Sequence, residues 1–292
     1  MGAQKPTTPA LRTLSGKARL AGVIGWPVGH SLSPRLHGYW LQSYEIDGAY
    51  VPLPIQADDL HTCVRVLPRI GFAGVNVTVP HKEAALKAAD AVDAWAKHVG
   101  AANTLVFDAG RIEARNTDAF GFIENIRATV ERWSAKTGPA VVLGAGGSAR
   151  AVVAALIEAG APDVRLVNRT PDRAKAVAAH IGGPIRVVAW EERSEALAGA
   201  ALLVNTTVLG MSGRPPLDLA LDRLPQNAVV NDIVYVPLQT PLLKSAAARG
   251  NTVVDGIGML LHQARPGFAA WFGVEPEVTP ELRAYVLAAM NR

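Results

Sequence analysis

Gly144-Ala145-Gly146-Gly147-Ser148-Ala149-Arg150 is the stretch whose reading decides the fold. An apolar run, Ala140-Val141-Val142-Leu143, leads into it, and Ala151 to Glu158 follows with helical character. Strand, glycine-rich turn and helix in that order form a dinucleotide-binding fingerprint. Gly144 permits the tight turn, Gly146 lets the backbone approach a pyrophosphate, and Ala149 keeps the helix close to the strand. Ala145, Gly147 and Ser148 complete the turn, and the N-terminus of the helix offers free N–H groups to phosphate oxygens.

The next strand, Val164 to Val167, runs into Asn168-Arg169-Thr170, about twenty residues after the turn. An acidic residue there would hold the ribose hydroxyls of NAD. A neutral residue followed by a cation suits the 2′-phosphate of NADP. Thr170-Pro171-Asp172-Arg173 reads as a helix start, with Thr170 as N-cap and Pro171 at the first helical position. Arg173 then stands where a capping box wants Glu or Gln, and a cation in the first turn opposes the helix dipole by ~0.3–1 kcal/mol. Two arginines at one helix start are either solvated surface groups or the holders of an anion; behind a dinucleotide turn, the anion is the preferred reading. Asp172 is an acid that would reach a ribose if the register shifted.

Working outward, 292 residues fit two domains of ordinary size, and 49% hydrophobic with 18% charged residues describes a globular protein. No apolar run approaches the ~20 residues that cross a bilayer. The formal net charge of +4 is matched by Lys5, Arg12, Lys17 and Arg19 in an acid-free leader. The leader is read as a tail, with Leu20 opening the first strand. The remaining charges balance and no basic stripe is interleaved with aromatics, which argues against a nucleic-acid partner. One cysteine, Cys63, excludes an internal disulfide and fits a reducing compartment. The histidines form no zinc-spaced pair, so no metal is expected.

Strands alternate with helices, which predicts α/β layers and largely parallel sheets. Strands are expected at Leu20 to Ile24, Ala49 to Leu53, Gly74 to Val79, Thr104 to Phe107, Arg186 to Val188, Leu202 to Asn205, Val229 to Asp232 and Thr252 to Val254. Within Gly74 to Val79, Val75, Val77 and Val79 alternate with Asn76 and Thr78, giving one polar face. Helices are expected from near Pro34, from about Ala57, from Pro80, after Asp118, and through Gly256 to Arg292. The first and last thirds therefore flank an inserted nucleotide domain, and the two lobes enclose a cleft suited to substrate and cofactor.

Three further stretches carry chemistry. In His30-Ser31-Leu32-Ser33-Pro34, Ser33 fits an N-cap before Pro34; equally, Ser31 and Ser33 beside helix N–H groups make a carboxylate cradle. In Asn76 to Lys82, Lys82 falls in the first helical turn after Pro80. It is either a surface charge or a functional amine, and His81 reads as structural. In Asn116-Thr117-Asp118, Asp118 either caps a helix or pairs with Lys82 on a substrate hydroxyl. A Lys–Asp pair can orient an alcohol and carry its proton while hydride passes to a nicotinamide.

In this order the motifs resemble the shikimate dehydrogenase family, from about residue 20 to 272. The pattern continues through Asn103-Thr104, Asn205 to Met211, Asp232-Ile233-Val234-Tyr235, Asp255 to Leu260, and Gln263. The resemblance implies a two-lobed α/β fold. A discontinuous substrate domain (1–117, returning at 256–292) would carry an inserted, doubly wound Rossmann-like NADP domain (118–255). It implies reversible NADPH-dependent reduction of 3-dehydroshikimate to shikimate, in the cytoplasm, by a monomer or homodimer. Lys82 would be the acid/base and Asp118 its partner. Ser31 and Ser33 would hold the substrate carboxylate with Tyr235 nearby, and Thr78, Asn103 and Gln263 would contact the ring. Asn168, Arg169, Thr170 and Arg173 would hold the 2′-phosphate, with Ile233, Gly256 and Met259 near the nicotinamide. Gly38, where the family often has Asn, and Val208, where a small polar residue is common, depart from the pattern without touching the proposed pair.

Three rivals remain. An NAD-dependent quinate/shikimate dehydrogenase should carry an acid where Asn168-Arg169 stand. A non-catalytic sensor of shikimate-pathway metabolites should lack Lys82 or Asp118. A folate dehydrogenase of similar two-lobed fold would have no use for the serine pair.

Overall fold

The computed structural model describes residues 14–290, so most of the basic leader lies outside the described residues. Two six-stranded sheets organise the chain. The first contains β1 (Arg19–Gly25), β2 (Gly48–Pro54), β3 (Phe72–Val77), β4 (Ala91–Val92), β5 (Thr104–Asp108) and β6 (Arg111–Arg115), in the order β2-β1-β3-β5-β6-β4. Its helices are α1 (Ser33–Ser43), α2 (Leu60–Val66), α3 (Lys82–Ala88) and α4 (Ala94–Val99). After α5 (Asp118–Thr129) comes the second sheet, built from β7 (Ala140–Leu143), β8 (Val164–Val167), β9 (Ile185–Val188), β10 (Leu202–Asn205), β11 (Val229–Asp232) and β12 (Thr252–Val254). Between its strands lie α6 (Gly147–Glu158), α7 (Pro171–Ile181) and α8 (Pro241–Ala248), and the described chain finishes with α9 (Ile257–Phe272) and α10 (Pro280–Leu287).

The second sheet is parallel throughout and runs β12-β11-β10-β7-β8-β9. Numbered within the sheet, this is the doubly wound order 3-2-1-4-5-6, whose direction reverses between β7 and β10. Ligands of such sheets bind at that switch point, beyond the carboxyl ends of the strands. The glycine-rich turn lies there. Val141, Val142, Leu143, Leu166, Val204 and Val230 are fully buried, as strands covered on both faces require.

The first sheet is not wholly parallel. β1 pairs in parallel with β2 and β3, whereas β5 is antiparallel to β3 and forms a hairpin with β6. The hairpin turn, Ala109-Gly110, has positive φ at both residues (47° and 78°), the combination of a type I′ connection. Alanine at the first of these positions hides the turn from a sequence reading that looks for Asn, Asp or Gly. β3 also ends earlier than expected: Val79 lies beyond the strand and is 62% exposed, so it shares no buried face with Val75 and Val77.

Two helices join the lobes at close range. A Cβ on Gly121 of α5 would lie 2.7 Å from the Gln263 nitrogen and 2.8 Å from the Met259 oxygen of α9. Only glycine admits that approach. α9 then lays Leu261, Phe268 and Trp271 on a core that also contains Val23, Leu36 and Trp40. The Trp271 indole donates to the Leu105 carbonyl at 3.1 Å, in space left by Gly74.

Candidate active site

Lys82 is the first residue of α3, later than a start at Pro80 would place it, with His81 as its N-cap. The His81 ring is buried and its Nε2 lies 2.7 Å from the Ile55 carbonyl, a structural contact. From this helix start Lys82 Nζ donates to Asp118 Oδ2 at 2.5 Å, with only 12% and 6% of the two side chains exposed. A pair this sheltered is held in one geometry rather than solvated apart.

Asp118 does not cap α5. It is the first helical residue, and the Asn116 side-chain Oδ1 accepts from the Asp118 and Ala119 N–H groups at 3.1 and 3.4 Å. That leaves both Asp118 carboxylate oxygens for the site. Asn103 Nδ2 donates to Asp118 Oδ1 at 3.1 Å and to Gln263 Oε1 at 2.9 Å, and Thr117 Oγ1 donates to the Gln263 carbonyl at 2.8 Å. Lys82 and Asn103 thus meet on one carboxylate, and Asn103 with Thr117 ties it to Gln263 of α9.

Ser33 is the first residue of α1 rather than its N-cap; Leu32 holds that position without a side-chain bond. The Ser31 hydroxyl accepts from the Ser33 N–H at 3.3 Å, so the two serines are neighbours at the helix start. Thr78 accepts from the His81 N–H through its carbonyl at 3.0 Å, four residues before Lys82.

The glycine-rich turn faces this group. Lys82 Nζ also donates to Ser148 Oγ at 3.2 Å, across the cleft between the lobes. Gly144 has φ +110°, and a Cβ there would strike Thr206 Oγ1 at 2.6 Å. A Cβ on Gly146, the N-cap of α6, would meet nothing within 4 Å, so open space lies beside the turn where a pyrophosphate would approach. Ala149 is fully buried between helix and sheet.

At the end of β8, Asn168 Nδ2 donates to the Thr170 carbonyl at 2.8 Å, and Thr170 is the N-cap of α7 without a side-chain bond. Arg169 and Arg173 are exposed. Arg173 Nη2 lies 3.9 Å from Glu83 Oε1, which is equally far from Arg150 Nε. Glu83, next to Lys82, therefore reaches two cations of the facing lobe, a role the sequence does not announce. Asp172 pairs with Lys175 at 3.3 Å on the exposed face of α7.

Above the switch point, the Asp232 carboxylate accepts from Asn205 Nδ2 (3.0 Å), the Val234 N–H (3.0 Å) and Thr240 Oγ1 (2.7 Å). Burial pushes its pKa up to about 6, against those three hydrogen bonds. This knot fixes the loop that carries Ile233 and Tyr235. Burial likewise raises the Tyr235 phenol. A Cβ on Gly256 would lie 2.3 Å from the Ile233 carbonyl oxygen, so the start of α9 clamps the same loop, with Met259 buried one turn on.

A sheltered lysine–aspartate pair touching a dinucleotide turn, with two cations at the end of β8, defines a nicotinamide-dependent dehydrogenase of an alcohol. The shikimate dehydrogenase substrate binding domain matches residues 23–105, and the Shikimate / quinate 5-dehydrogenase domain matches residues 127–209. The NADP(+)-named shikimate dehydrogenase of Paramagnetospirillum magneticum is 61% identical over 94% of this chain and all of its own length. That of Rhodospirillum rubrum is 58% identical over 94% of this chain and 99% of its own. Among solved structures, shikimate 5-dehydrogenase from Thermus thermophilus, in complex with NADP(H) and shikimate, superposes with a TM-score of 0.82 at 40% identity, covering 93% of this chain and 99% of that one. The chain belongs to the shikimate dehydrogenase family.

Proposed function

We propose that this chain catalyses the reversible NADPH-dependent reduction of 3-dehydroshikimate to shikimate, on the route to the aromatic amino acids. The observation that carries this reading is the Lys82–Asp118 pair, 2.5 Å apart and joined through Lys82 to Ser148 of the dinucleotide turn. It puts a proton donor beside the place where a nicotinamide would lie. NADP fits the residues present: open space beside Gly146, free N–H groups at the start of α6, and Arg169 with Arg173 at the end of β8. Asn168, Arg169, Thr170 and Arg173 would hold its 2′-phosphate, residues 144–149 its pyrophosphate, and Ile233, Gly256 and Met259 its nicotinamide. When bound, it supplies the hydride in reduction and accepts it in oxidation.

The chain's own residues do the rest. Lys82 Nζ gives a proton to the substrate carbonyl oxygen in reduction and takes the hydroxyl proton in oxidation. Asp118 holds the amine and accepts from a ring hydroxyl. Ser31, Ser33 and Tyr235 hold the carboxylate, while Thr78, Asn103 and Gln263 orient the ring. The domain division, with 118–255 inserted between 1–117 and 256–292, belongs to the same reading; the two separate sheets and the return of α9 to the first core support it. A cytoplasmic setting, which one unpaired cysteine fits, and a monomeric or homodimeric state are part of the same proposal.

Initial rates with shikimate and quinate, each with NADP⁺ and NAD⁺, test the reading. Preference for shikimate with NADP⁺ is expected. Preference for quinate with NAD⁺ would overturn it. The fold does not separate the two, since a quinate dehydrogenase from Corynebacterium glutamicum in complex with NAD superposes with a TM-score of 0.85 at 30% identity. The arginine pair favours NADP.

A further inference from the structure

We infer that Glu83 is a specificity-determining residue: from the substrate lobe, it sets how tightly the facing lobe takes a 2′-phosphate. The inference rests on the reading of Arg173 as a holder of that phosphate.

Glu83 is the second residue of α3, beside Lys82. Its Oε1 lies 3.9 Å from Arg150 Nε and 3.9 Å from Arg173 Nη2. One carboxylate oxygen thus faces two cations from two helices. Arg150 is the fourth residue of α6 and Arg173 the third of α7. Each stands near the positive end of its helix, where an anion is favoured over a cation. The first turn of α6 holds no acid, and Asp172 of α7 is turned to Lys175 at 3.3 Å. The counter-charge for both arginines therefore comes from across the cleft.

Other contacts keep it there. Lys82 Nζ donates to Ser148 Oγ at 3.2 Å, tying α3 to α6. His180 Nε2 of α7 lies 3.1 Å from the Lys97 carbonyl of α4. A Cβ on Gly100, which ends α4, would lie 2.8 Å from that same His180 nitrogen and 3.1 Å from Arg150 Nη1.

The two arginines differ in what they can do. The Arg150 side chain is 14% exposed, and its Nε is buried without a hydrogen-bond partner. The Arg173 side chain is 62% exposed and open to a ligand from solvent. A 2′-phosphate carries about two negative charges at neutral pH. Arriving on Arg173, it takes the guanidinium that Glu83 shares, and Glu83 stays with Arg150. The exposed Arg173 pair is weak and gives way readily. The repulsion between carboxylate and phosphate remains. NAD carries a hydroxyl in place of this phosphate and escapes that repulsion. Glu83 thus holds down the affinity for NADP selectively.

Calorimetric titration of the full chain with NADP⁺ and with NAD⁺ tests this. Glu83→Gln keeps the shape of the side chain and removes its charge. In about 0.05 M salt the Kd for NADP⁺ should fall about threefold or more, while that for NAD⁺ stays within about twofold. In about 0.5 M salt the gain for NADP⁺ should vanish, because the screening length shrinks to about 4 Å. Unchanged or weaker NADP⁺ binding in Glu83→Gln, or an equal gain for both cofactors, would overturn the inference. Arg173→Ala separates it from the reading beneath it. If Arg173→Ala leaves the ratio of the two Kd values unchanged, the phosphate role of Arg173 falls and the inference with it. If Arg173→Ala weakens NADP⁺ alone while Glu83→Gln changes nothing, the inference falls by itself.

Discussion

Replacing Lys82 with alanine removes the amine that meets both Asp118 and Ser148. Acid/base assistance contributes roughly 10²–10⁴-fold, so Lys82→Ala should lose kcat on that scale with little change in shikimate affinity, read by steady-state rates beside fluorescence binding. Asp232 makes a different prediction. Its folded pKa of about 6 exceeds the ordinary 3.8, so between those values the folded chain binds more protons than the unfolded one. Its contribution is therefore full below the ordinary value and is lost as pH rises through about 6. Asp232→Asn lacks this dependence. The stability of wild type relative to that variant should fall by about 1 kcal/mol between about pH 5 and about pH 7.5, measured by urea unfolding. At this scale the sequence offers Lys82 and Asp118 as candidates because each sits at a helix start. It does not offer Tyr50, which reads as one more apolar residue of a strand although its buried hydroxyl donates to Asn76.

Elements bring these groups to one place, and the crossing of α5 with α9 matters most. Gly121→Ala forces a methyl group against the Gln263 and Met259 backbones, which have no flexible tip to give way. Overpacking of this kind costs ~1–3 kcal/mol. The variant should unfold at lower denaturant and show a raised KM for shikimate, because Gln263 moves with α9 away from Asn103. The elements of the second sheet were legible: Leu202 to Asn205 and Val229 to Asp232 are buried along their length and read as largely apolar runs, and the shorter edge strands at Arg186 to Val188 and Thr252 to Val254 also fall within strands. The β5–β6 hairpin was not, because Ala109 occupies a left-handed position usually filled by Gly, Asn or Asp. Helix starts erred by one or two residues at Ser33, Lys82 and Asp118. At Ser33 the Ser31 hydroxyl, and at Asp118 the Asn116 side-chain oxygen, accept from the first helical N–H groups in place of the residue that sequence puts at the cap.

Across the whole molecule, the proposed hold on NADP rests on exposed charge, Arg169 just past β8 and Arg173 in the first turn of α7. Arg169→Ala with Arg173→Ala should weaken NADPH far more than NADH, measured by titration of each. Because both guanidinium groups are exposed, the wild-type preference for NADP should also shrink as salt rises from about 0.05 to about 0.5 M, where the screening length falls several-fold. The inserted topology has a further effect during synthesis. The first sheet leaves the ribosome early, but α9, which covers one of its apolar faces with Phe268 and Trp271, follows only after the whole second sheet. Until then Val23, Leu36 and Trp40 lack their cover, and nascent chains halted before residue 257 carry an open apolar face, the kind of surface that chaperones bind and that drives aggregation.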